Sequence, residues 1–434
     1  MSLGTLLRRL VPGTPPAGPE PAWGAPRVLD QGLVGRPQIA MDDHGNALAA
    51  WHHRSEDGEG IYICRYRPDR RGWDLAPRRL DSARTQAQAP EIAMNSRCQL
   101  AVVWHEQEGP QARVCARHML GTEDTWVPYP VGLQEAPGQV TALHTAMDPL
   151  GNIQVVWCLG EAGVYQVFAS GYAAAEAAWD PQPTPLGGPA PAPLFPQLAL
   201  NETGTGLVVW GTEGEGGADR ILACHYDPGS RSWSDRPTLV APGRAAHLRM
   251  ALDRRGNAIV LWAEEDRSGT QVLHASHLDG RTIEWTQAPP LASGRGLRWP
   301  QVGLDAEGRA HAVWRQESAG RVKLYGKRFH GGQWEPQRTL LVEDLGQSQA
   351  HTLSTNALGH ALVVWLQEQG EASMVCVRRF DGTAWGPHPV LLGAPSHKDV
   401  QTPAAVLSPG DQVAVLWRQG SPANGAILAA MGRA

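Results

Sequence analysis

The stretch PQIAMDDHGNALAAW, residues 37–51, decides the fold because it recurs along the whole chain. It returns as PEIAMNSRCQLAVVW at residues 90–104, and its closing Trp reappears at spacings of 51 to 53 residues. Eight residues form this first Trp series: Trp51, Trp104, Trp157, Trp210, Trp262, Trp314, Trp365 and Trp417. Self-similarity at a fixed period of this length is typical of repeat architectures. The sequence therefore predicts eight copies of one structural unit.

Each unit carries the signal of a tight turn between two strand-like runs. Nine residues before each Trp stands a small polar residue: Asp42, Asn95, Asp148, Asn201, Asp253, Asp305, Asn356 and Ser408. In six units a Gly follows three residues later: Gly45, Gly151, Gly204, Gly256, Gly308 and Gly359. An Asp or Asn side chain caps such a turn, and Gly accepts the positive φ. The flanking runs alternate between two faces, so each unit begins strand, turn, strand.

A second Trp series predicts how the last unit is completed. In seven units a Trp follows the first by 20 to 23 residues: Trp73, Trp126, Trp179, Trp233, Trp285, Trp334 and Trp385. We expect a third strand after a Gly- and Glu-rich loop and a fourth strand that starts at this Trp. The chain ends before the eighth unit reaches its own second Trp, and Trp23 has no unit of its own. We therefore expect residues 22–32 to supply the outer strand of a last unit formed by residues 402–434.

The predicted fold is all-β: an eight-bladed β-propeller of four-stranded antiparallel blades, closed by the N-terminal strand pairing into the C-terminal blade. Alternation by two residues excludes helical and leucine-rich repeats. Residues 22–434 are expected to form this one domain. Residues 1–21 are expected to form a flexible Pro/Gly-rich tail, in which Leu3, Leu6, Leu7 and Leu10 would share one face of a short helix. Such a tail either folds on a partner as a docking peptide or stays disordered.

The unit resembles a known kind of repeat. Its pattern D-x-x-G-x-x-x-x-x-W, followed by a second Trp, is similar to the repeats of bacterial eight-bladed β-propeller proteins over residues 22–434. This resemblance implies architecture and no particular activity. The unit differs from the sialidase Asp-box, S-x-D-x-G-x-x-W, because its Gly-to-Trp spacing is longer and the Ser or Thr is absent.

Composition excludes several classes of function. A formal net charge of −5 without long runs of Lys and Arg gives no nucleic-acid footprint. The six Cys residues form no CxxC pair and lie in strand-like runs, so we expect reduced core thiols rather than disulfides. No metal-ligand spacing, cofactor motif or catalytic motif is found, and no metal or cofactor is expected. Neither a signal peptide nor an apolar stretch of membrane-spanning length is present, which predicts a cytoplasmic protein.

In a propeller, the first strand of each blade lines the central channel, and the residues that vary there are the candidates for binding. The residue thirteen positions before each first Trp is expected to face the channel. This channel column consists of Gln38, Glu91, His144, Gln197, Arg249, Gln301, Thr352 and Ala404. Such varied polar groups suit a specific site, although a water-filled pore also needs polar walls.

Residues in the loops that lead into these strands extend the candidate site. They are His247, Arg298, Trp299 and His351. Trp299 belongs to neither Trp series, so the repeat does not require it. It is either a platform at the channel mouth, able to stack on a sugar ring or anchor a peptide, or a wedge buried between blades.

Function is predicted from these residues in two ways. The leading expectation is a non-enzymatic scaffold that presents one propeller face to a protein or peptide partner. The alternative is a carbohydrate-binding protein or glycoside-active enzyme with its site at the channel mouth. There Trp299 would be the platform, and Glu91, His144 and Arg249 the polar contacts.

Overall fold

The protein is described by a computed structural model in which the described residues are 23–55, 58–82, 86–119, 125–191, 194–213, 219–266, 268–346, 350–370, 372–396, 400–421 and 423–433. The tail predicted for residues 1–21 lies outside these ranges. All regular structure in them is β-strand. Consistently, none of the described segments is a helix that could cross a membrane.

The described residues form 37 strands, numbered in chain order. The first twelve are β1 (Arg27–Val34), β2 (Gln38–Met41), β3 (Ala47–Ser55), β4 (Gly58–Arg67), β5 (Gly72–Trp73), β6 (Arg78–Arg79), β7 (Ala87–Met94), β8 (Leu100–Glu108), β9 (Gln111–Met119), β10 (Val131–Pro137), β11 (Gln139–Met147) and β12 (Ile153–Glu161). The next twelve are β13 (Val164–Ala173), β14 (Ala178–Trp179), β15 (Thr184–Ala190), β16 (Leu194–Leu200), β17 (Gly206–Glu213), β18 (Asp219–Asp227), β19 (Ser232–Trp233), β20 (Thr238–Pro242), β21 (Ala246–Leu252), β22 (Ala258–Glu265), β23 (Gln271–Asp279) and β24 (Glu284–Gln287). The last thirteen are β25 (Ala292–Gly294), β26 (Arg298–Leu304), β27 (Ala310–Ser318), β28 (Arg321–His330), β29 (Gln333–Trp334), β30 (Thr339–Val342), β31 (His351–Thr355), β32 (Ala361–Gln369), β33 (Ala372–Phe380), β34 (Val390–Ser396), β35 (Val400–Leu407), β36 (Gln412–Ser421) and β37 (Asn424–Arg433).

These strands form seven antiparallel sheets in the described part of the chain. Six sheets each hold one repeat unit, and their strand orders are β10-β9-β8-β7, β11-β12-β13-β14 with β15, β16-β17-β18-β19 with β20, β21-β22-β23-β24 with β25, β26-β27-β28-β29 with β30, and β31-β32-β33-β34. The seventh has nine strands: β35, β36, β37, β1, β3, β4 and β5 in that order, with β2 beside β3 and β6 beside β4. The prediction of an all-β fold built from repeated antiparallel four-stranded sheets is confirmed.

The N-terminal strand β1 lies between the two halves of the nine-stranded sheet. It pairs with β37 from Arg27 opposite Ala429 to Gly32 opposite Gly425. Trp23 forms a further bridge to Gly432. At the other end of β1, Leu33 and Val34 pair with β3. Strand β1 therefore connects the last repeat unit to the first.

The predicted turn geometry is present in all eight units. In the first, the Asp42 carboxylate accepts hydrogen bonds from the backbone N–H of His44 at 2.9 Å and of Asn46 at 2.8 Å. Gly45, at the fourth position, has φ +83°. The two units without Gly keep the same backbone, because Cys98 and Asp411 stand there at φ +61° and +60°. The turn therefore imposes the positive φ whatever the residue.

The hydrophobic core lies between neighbouring sheets. All eight Trp residues of the first series are buried. Trp104, for example, packs in one cluster with Leu48, Ile61 and Leu80 of the preceding sheet. The six Cys residues are likewise buried, and all are free thiols.

The second Trp series differs from the prediction in one respect. Trp73, Trp179, Trp233 and Trp334 each end a strand of only two residues, and the outer strand proper follows later. A Pro stands two to four residues after each of them. Proline has no backbone N–H to donate to the ladder, so the outer strand is interrupted there.

Candidate functional site

The first strands of the eight units contact one another in series, and the place where they meet is called the central channel below, after the prediction. Strand β2 contacts β7, and the contacts continue through β11, β16, β21, β26 and β31 to β35, which contacts β2. Residues of these strands are therefore the ones brought together from all parts of the chain.

The channel column occupies one register position in all eight units. Its members each lie opposite the residue that precedes a first-series Trp: Gln38 opposite Ala50, Glu91 opposite Val103, His144 opposite Val156, Gln197 opposite Val209, Arg249 opposite Leu261, Gln301 opposite Val313, Thr352 opposite Val364 and Ala404 opposite Leu416. All eight are partly exposed. They are thus equivalent in backbone position and differ in side-chain chemistry.

Two hydrogen bonds link column residues of neighbouring units. Gln38 Nε2 donates to Glu91 Oε1 at 2.9 Å. Gln197 Nε2 and His144 Nε2 are 3.2 Å apart. Gln301 shares the register, but no side-chain hydrogen bond to another described residue is found for it. The structure therefore joins four of the predicted site residues in pairs and leaves Gln301 outside them.

Burial disfavours charge on two of these side chains. It raises the pKa of the Glu91 carboxyl to about 8, and the charge of Arg36 opposes this rise. Burial and the charge of Arg249 together lower the pKa of His144 to about 4. At neutral pH both side chains are therefore mainly uncharged, and the one carboxyl group of the column contributes little negative charge.

Arg249 supplies the positive charge of the column. Burial is the main cause that lowers the pKa of His144, His247 and His351, which belong to three different sheets, and the charge of Arg249 lowers the pKa of each further. Burial and the charge of Arg36 lower the pKa of Arg249 itself. Its Nη1 donates to the carbonyl of Leu248 at 2.7 Å. The guanidinium therefore acts on groups from several sides of the channel.

Three aromatic side chains stand at one repeat position close to the channel column in sequence. Phe195, His247 and Trp299 each lie two residues before a column residue and have φ +39°, +55° and +50°. The sequence placed His247, Arg298, Trp299 and His351 in loops. Instead the first three lie within β21 and β26, where the pairing register shifts at a bulge, and His351 begins β31. Left-handed backbone costs about 1 kcal/mol or more for a bulky residue and concentrates at functional sites.

Trp299 lies in a defined setting at this bulge. Its ring is partly exposed, meets the His247 ring edge-on at a centroid distance of 5.6 Å, and has the Arg315 guanidinium over it at 5.0 Å. It combines the two predicted alternatives, because it contacts the neighbouring unit and still presents part of its ring to solvent.

Sequence reasoning missed Arg315, whereas it named His351 among the loop candidates. Arg315 directly follows Trp314 and lies opposite Arg298 in the strand pair. Other units carry His, Cys, Gly, Ala, Leu or Arg after the first Trp, so the only available signal was the variability of that position. His351 is buried where the other units have Pro or Leu directly before the column residue. That departure from the repeat distinguishes His351 from the corresponding residues of the other units.

Two further observations concern the surroundings of the site, a groove and the absence of a metal-binding cluster among the described residues. A groove of about 410 Å³ lies between two units and is lined by residues including Gln107, Thr141, Glu161 and Tyr165. It contains no column residue. Among the described residues, no group of three or more His, Cys, Asp and Glu side chains is arranged to hold a metal ion.

Comparison with known proteins gives structural likeness only. No family model matches the chain, and no curated protein matches it. The crystal structure of the polysaccharide lyase Uly1 is 8% identical, aligns over 92% of this chain and 90% of its own, and has a TM-score of 0.53. The BP39L lectin from Burkholderia pseudomallei is 15% identical over 82% and 98%, with a TM-score of 0.49. A PL25 ulvan lyase is 12% identical over 92% and 94%, with a TM-score of 0.45.

The leading functional prediction, a non-enzymatic scaffold for a protein or peptide partner, is wrong against these comparisons. Uly1, the one of these three structures with a TM-score above 0.5, is a polysaccharide lyase and not a protein-binding scaffold. It agrees better with the alternative expectation from the sequence. The likeness to Uly1 supports the propeller-like fold.

Proposed function

We propose that this protein binds carbohydrate at the mouth of its central channel, with Trp299 as the stacking platform. The observation that carries the proposal is the partly exposed Trp299 ring, held edge-on by His247 and backed by Arg315. A rigid aromatic face beside polar donors is what a sugar ring requires, because its C–H face is apolar and its hydroxyl groups need hydrogen bonds. The similar fold of Uly1, a polysaccharide lyase, agrees with this substrate class.

The neighbouring residues suit a ligand longer than one sugar. Phe195 is 58% exposed and stands at the same repeat position as Trp299, two units earlier. His247 lies between them in sequence order and contacts the Trp299 ring. Gln38, Glu91, His144 and Gln197 supply amide, carboxyl and imidazole groups within the channel. A chain of sugars could therefore meet aromatic and polar groups from successive units.

Binding is better supported than hydrolysis. Glycosidases commonly use two carboxyl groups that flank the scissile bond. The channel column contains a single carboxyl group, Glu91.

We further propose that the nine-stranded sheet is two blades joined by β1, which makes the domain at residues 22–434 an eight-bladed ring closed by the pairing of β1 with β37. The register between these strands and the contact between β35 and β2 support this arrangement.

A glycan array followed by titration calorimetry tests the site. We expect Trp299→Ala to weaken binding of an array hit roughly tenfold to a hundredfold, because truncating a central aromatic anchor has effects of this size. Trp299→Phe should keep part of the affinity. Tyr129→Ala, which removes an 80% exposed ring elsewhere on the surface, is the matched control and should bind like the unaltered protein. Unchanged binding by a folded Trp299→Ala variant would remove Trp299 from the site, and an array without any hit would overturn the function.

A further inference from the structure

Four arginines lie on or directly beside the strands of the channel column. They are Arg36, Arg249, Arg298 and Arg315, and the ion pairs formed among the described residues include none of them. Mutual effects show their proximity, since the charge of Arg36 acts on Arg249 and that of Arg298 on Arg315. Uncompensated positive charge in a concave site attracts anions.

Arg315 is the most informative of the four. It is only 8% exposed, and its Nε and Nη1 atoms have no hydrogen-bond partner within the described residues. Its guanidinium lies over the Trp299 ring. Leaving a buried donor unpaired is costly, so native proteins normally satisfy such groups.

Arg418 gives the matched comparison, because it occupies the same repeat position after its own Trp. Its guanidinium donates to the carbonyl oxygens of Val34 at 2.7 Å, Gly420 at 3.1 Å and Ser421 at 2.5 Å. Arg418 is therefore used to hold β1 in place. Among the described residues, two of the Arg315 nitrogens have no such structural use.

Arg298 adds a second cation to the same place. It lies directly opposite Arg315 in the β26–β27 pair. Like charges directly opposite each other destabilise a sheet. Glu317 is the carboxylate whose charge acts on Arg315, but it is exposed and forms no ion pair with it in the described structure. An anion bound between the two guanidinium groups would relieve their repulsion.

We propose, building on the proposed function, that the ligand is an acidic glycan whose carboxylate or sulfate group is bound by Arg298 and Arg315 while its sugar ring stacks on Trp299. Carboxylate and sulfate present the same chemistry here, a planar or tetrahedral oxyanion that accepts paired N–H donors from guanidinium. Arg249 and Arg36 extend the positive charge along the path of further acidic sugars.

Titration calorimetry at fixed ionic strength tests this with three probes: a polygalacturonate oligomer, a sulfated galactan oligomer and a neutral dextran oligomer. Arg315→Met and Arg298→Gln should each weaken binding of an acidic oligomer about tenfold or more, because charge-assisted hydrogen bonds are lost. Arg254→Gln is the control, because it removes an exposed arginine from the turn at the opposite end of β21. It should change affinity less than about twofold, as expected of a surface charge far from the site.

Each outcome decides one of the two proposals. Binding of either acidic oligomer with loss in the Arg298 and Arg315 variants supports the anion site, and the oligomer that binds identifies carboxylate or sulfate. Equal losses with Arg254→Gln would indicate general charge attraction and overturn it. Neutral dextran bound as tightly as the acidic oligomers, with no effect of the arginine changes, would overturn the anion site and leave carbohydrate binding intact. Failure of all three probes and of the wider array would overturn both. If Arg315→Met does not fold, the exposed Arg298→Gln carries the test.

Discussion

Single residues distinguish units that share one backbone. The column position has the same strand register throughout, yet it holds a carboxyl group in one unit, an imidazole in another and a guanidinium in a third. Because the repeat fixes the backbone, changes at this position alter chemistry without altering the fold. Glu91 and His144 show the consequence, since the same burial raises the pKa of one and lowers that of the other.

The raised pKa of Glu91 predicts a pH dependence of stability. With a folded pKa of about 8 against an unfolded value near 4.5, the folded state binds the extra proton between these values. Stability from this group is therefore full below about pH 4.5 and is lost as pH rises through 8, by at most about 1.4 kcal/mol per pH unit. The positive charge of Arg36 acts on this carboxyl and makes the rise in its pKa smaller.

Urea denaturation at pH 6 and pH 9 measures this. We expect Glu91→Gln, which preserves an oxygen acceptor for Gln38, to lose less stability than the unaltered protein between the two pH values. Exposed Glu284→Gln is the control and should retain the original difference. The same pH dependence in all three proteins would contradict the assignment.

The column could be predicted because it depends only on counting from a recurring Trp. The environment of Trp299 could not, since it arises from a bulge that shifts register and from Arg315 on the adjacent strand. Periodicity indicates which residues share a face of a sheet. It does not indicate that the Arg315 guanidinium lies over the Trp299 ring. The leading functional prediction was wrong for a related reason. A repeat pattern indicates the architecture, whereas the chemistry of ligand binding depends on residues that depart from the repeat.

At the scale of elements, the turn after each first strand is the most constrained feature. It holds positive φ in all eight units, including those with Cys98 and Asp411 in place of Gly. The capping carboxylate or amide is buried at the turn, so the turn is part of the packed structure. The outer strands are less regular because proline interrupts their pairing.

Gly256→Ala isolates the backbone cost of this turn. Gly256 has φ +82°, and an added Cβ would meet no atom closer than 3.6 Å, so crowding is not the cause of any loss. We expect the free energy of unfolding to fall by about 1 kcal/mol, the cost of left-handed backbone for a residue with a Cβ. Gly188→Ala is the control, because its backbone lacks positive φ and nothing lies within 4 Å. Equal denaturation midpoints for Gly256→Ala and the unaltered protein would contradict this account.

At the scale of the whole molecule, β1 is the element on which the assembly depends. Its Asp30 accepts a hydrogen bond from the Trp51 indole at 2.7 Å, and its Val34 carbonyl accepts one from Arg418. Leu29 and Val34 are buried in the cluster that spans the first and last units. Strand β1 therefore contributes hydrogen bonds and core to both ends of the chain.

Truncation tests this role. Removing residues 1–34 takes away the partners of the Trp51 indole N–H and of the Arg418 Nε and removes the buried Leu29, a loss of about 4 kcal/mol or more. We expect a large fall in the thermal midpoint or no cooperative transition, measured by calorimetry. Removing residues 1–21 takes away only the predicted tail and should leave the midpoint unchanged. A midpoint that is the same for both truncations would contradict the role of β1.

The pairing of β1 with β37 also has a consequence for biosynthesis. Arg27 and its partner Ala429 are 402 residues apart in the chain. At about 5–20 residues per second, the ribosome needs roughly 20–80 s to make that interval. Throughout this time β1 has an open hydrogen-bonding edge, which is a site for aggregation or for pairing with another nascent chain. Proteins that protect such edges during translation therefore have the longest opportunity to act on β1.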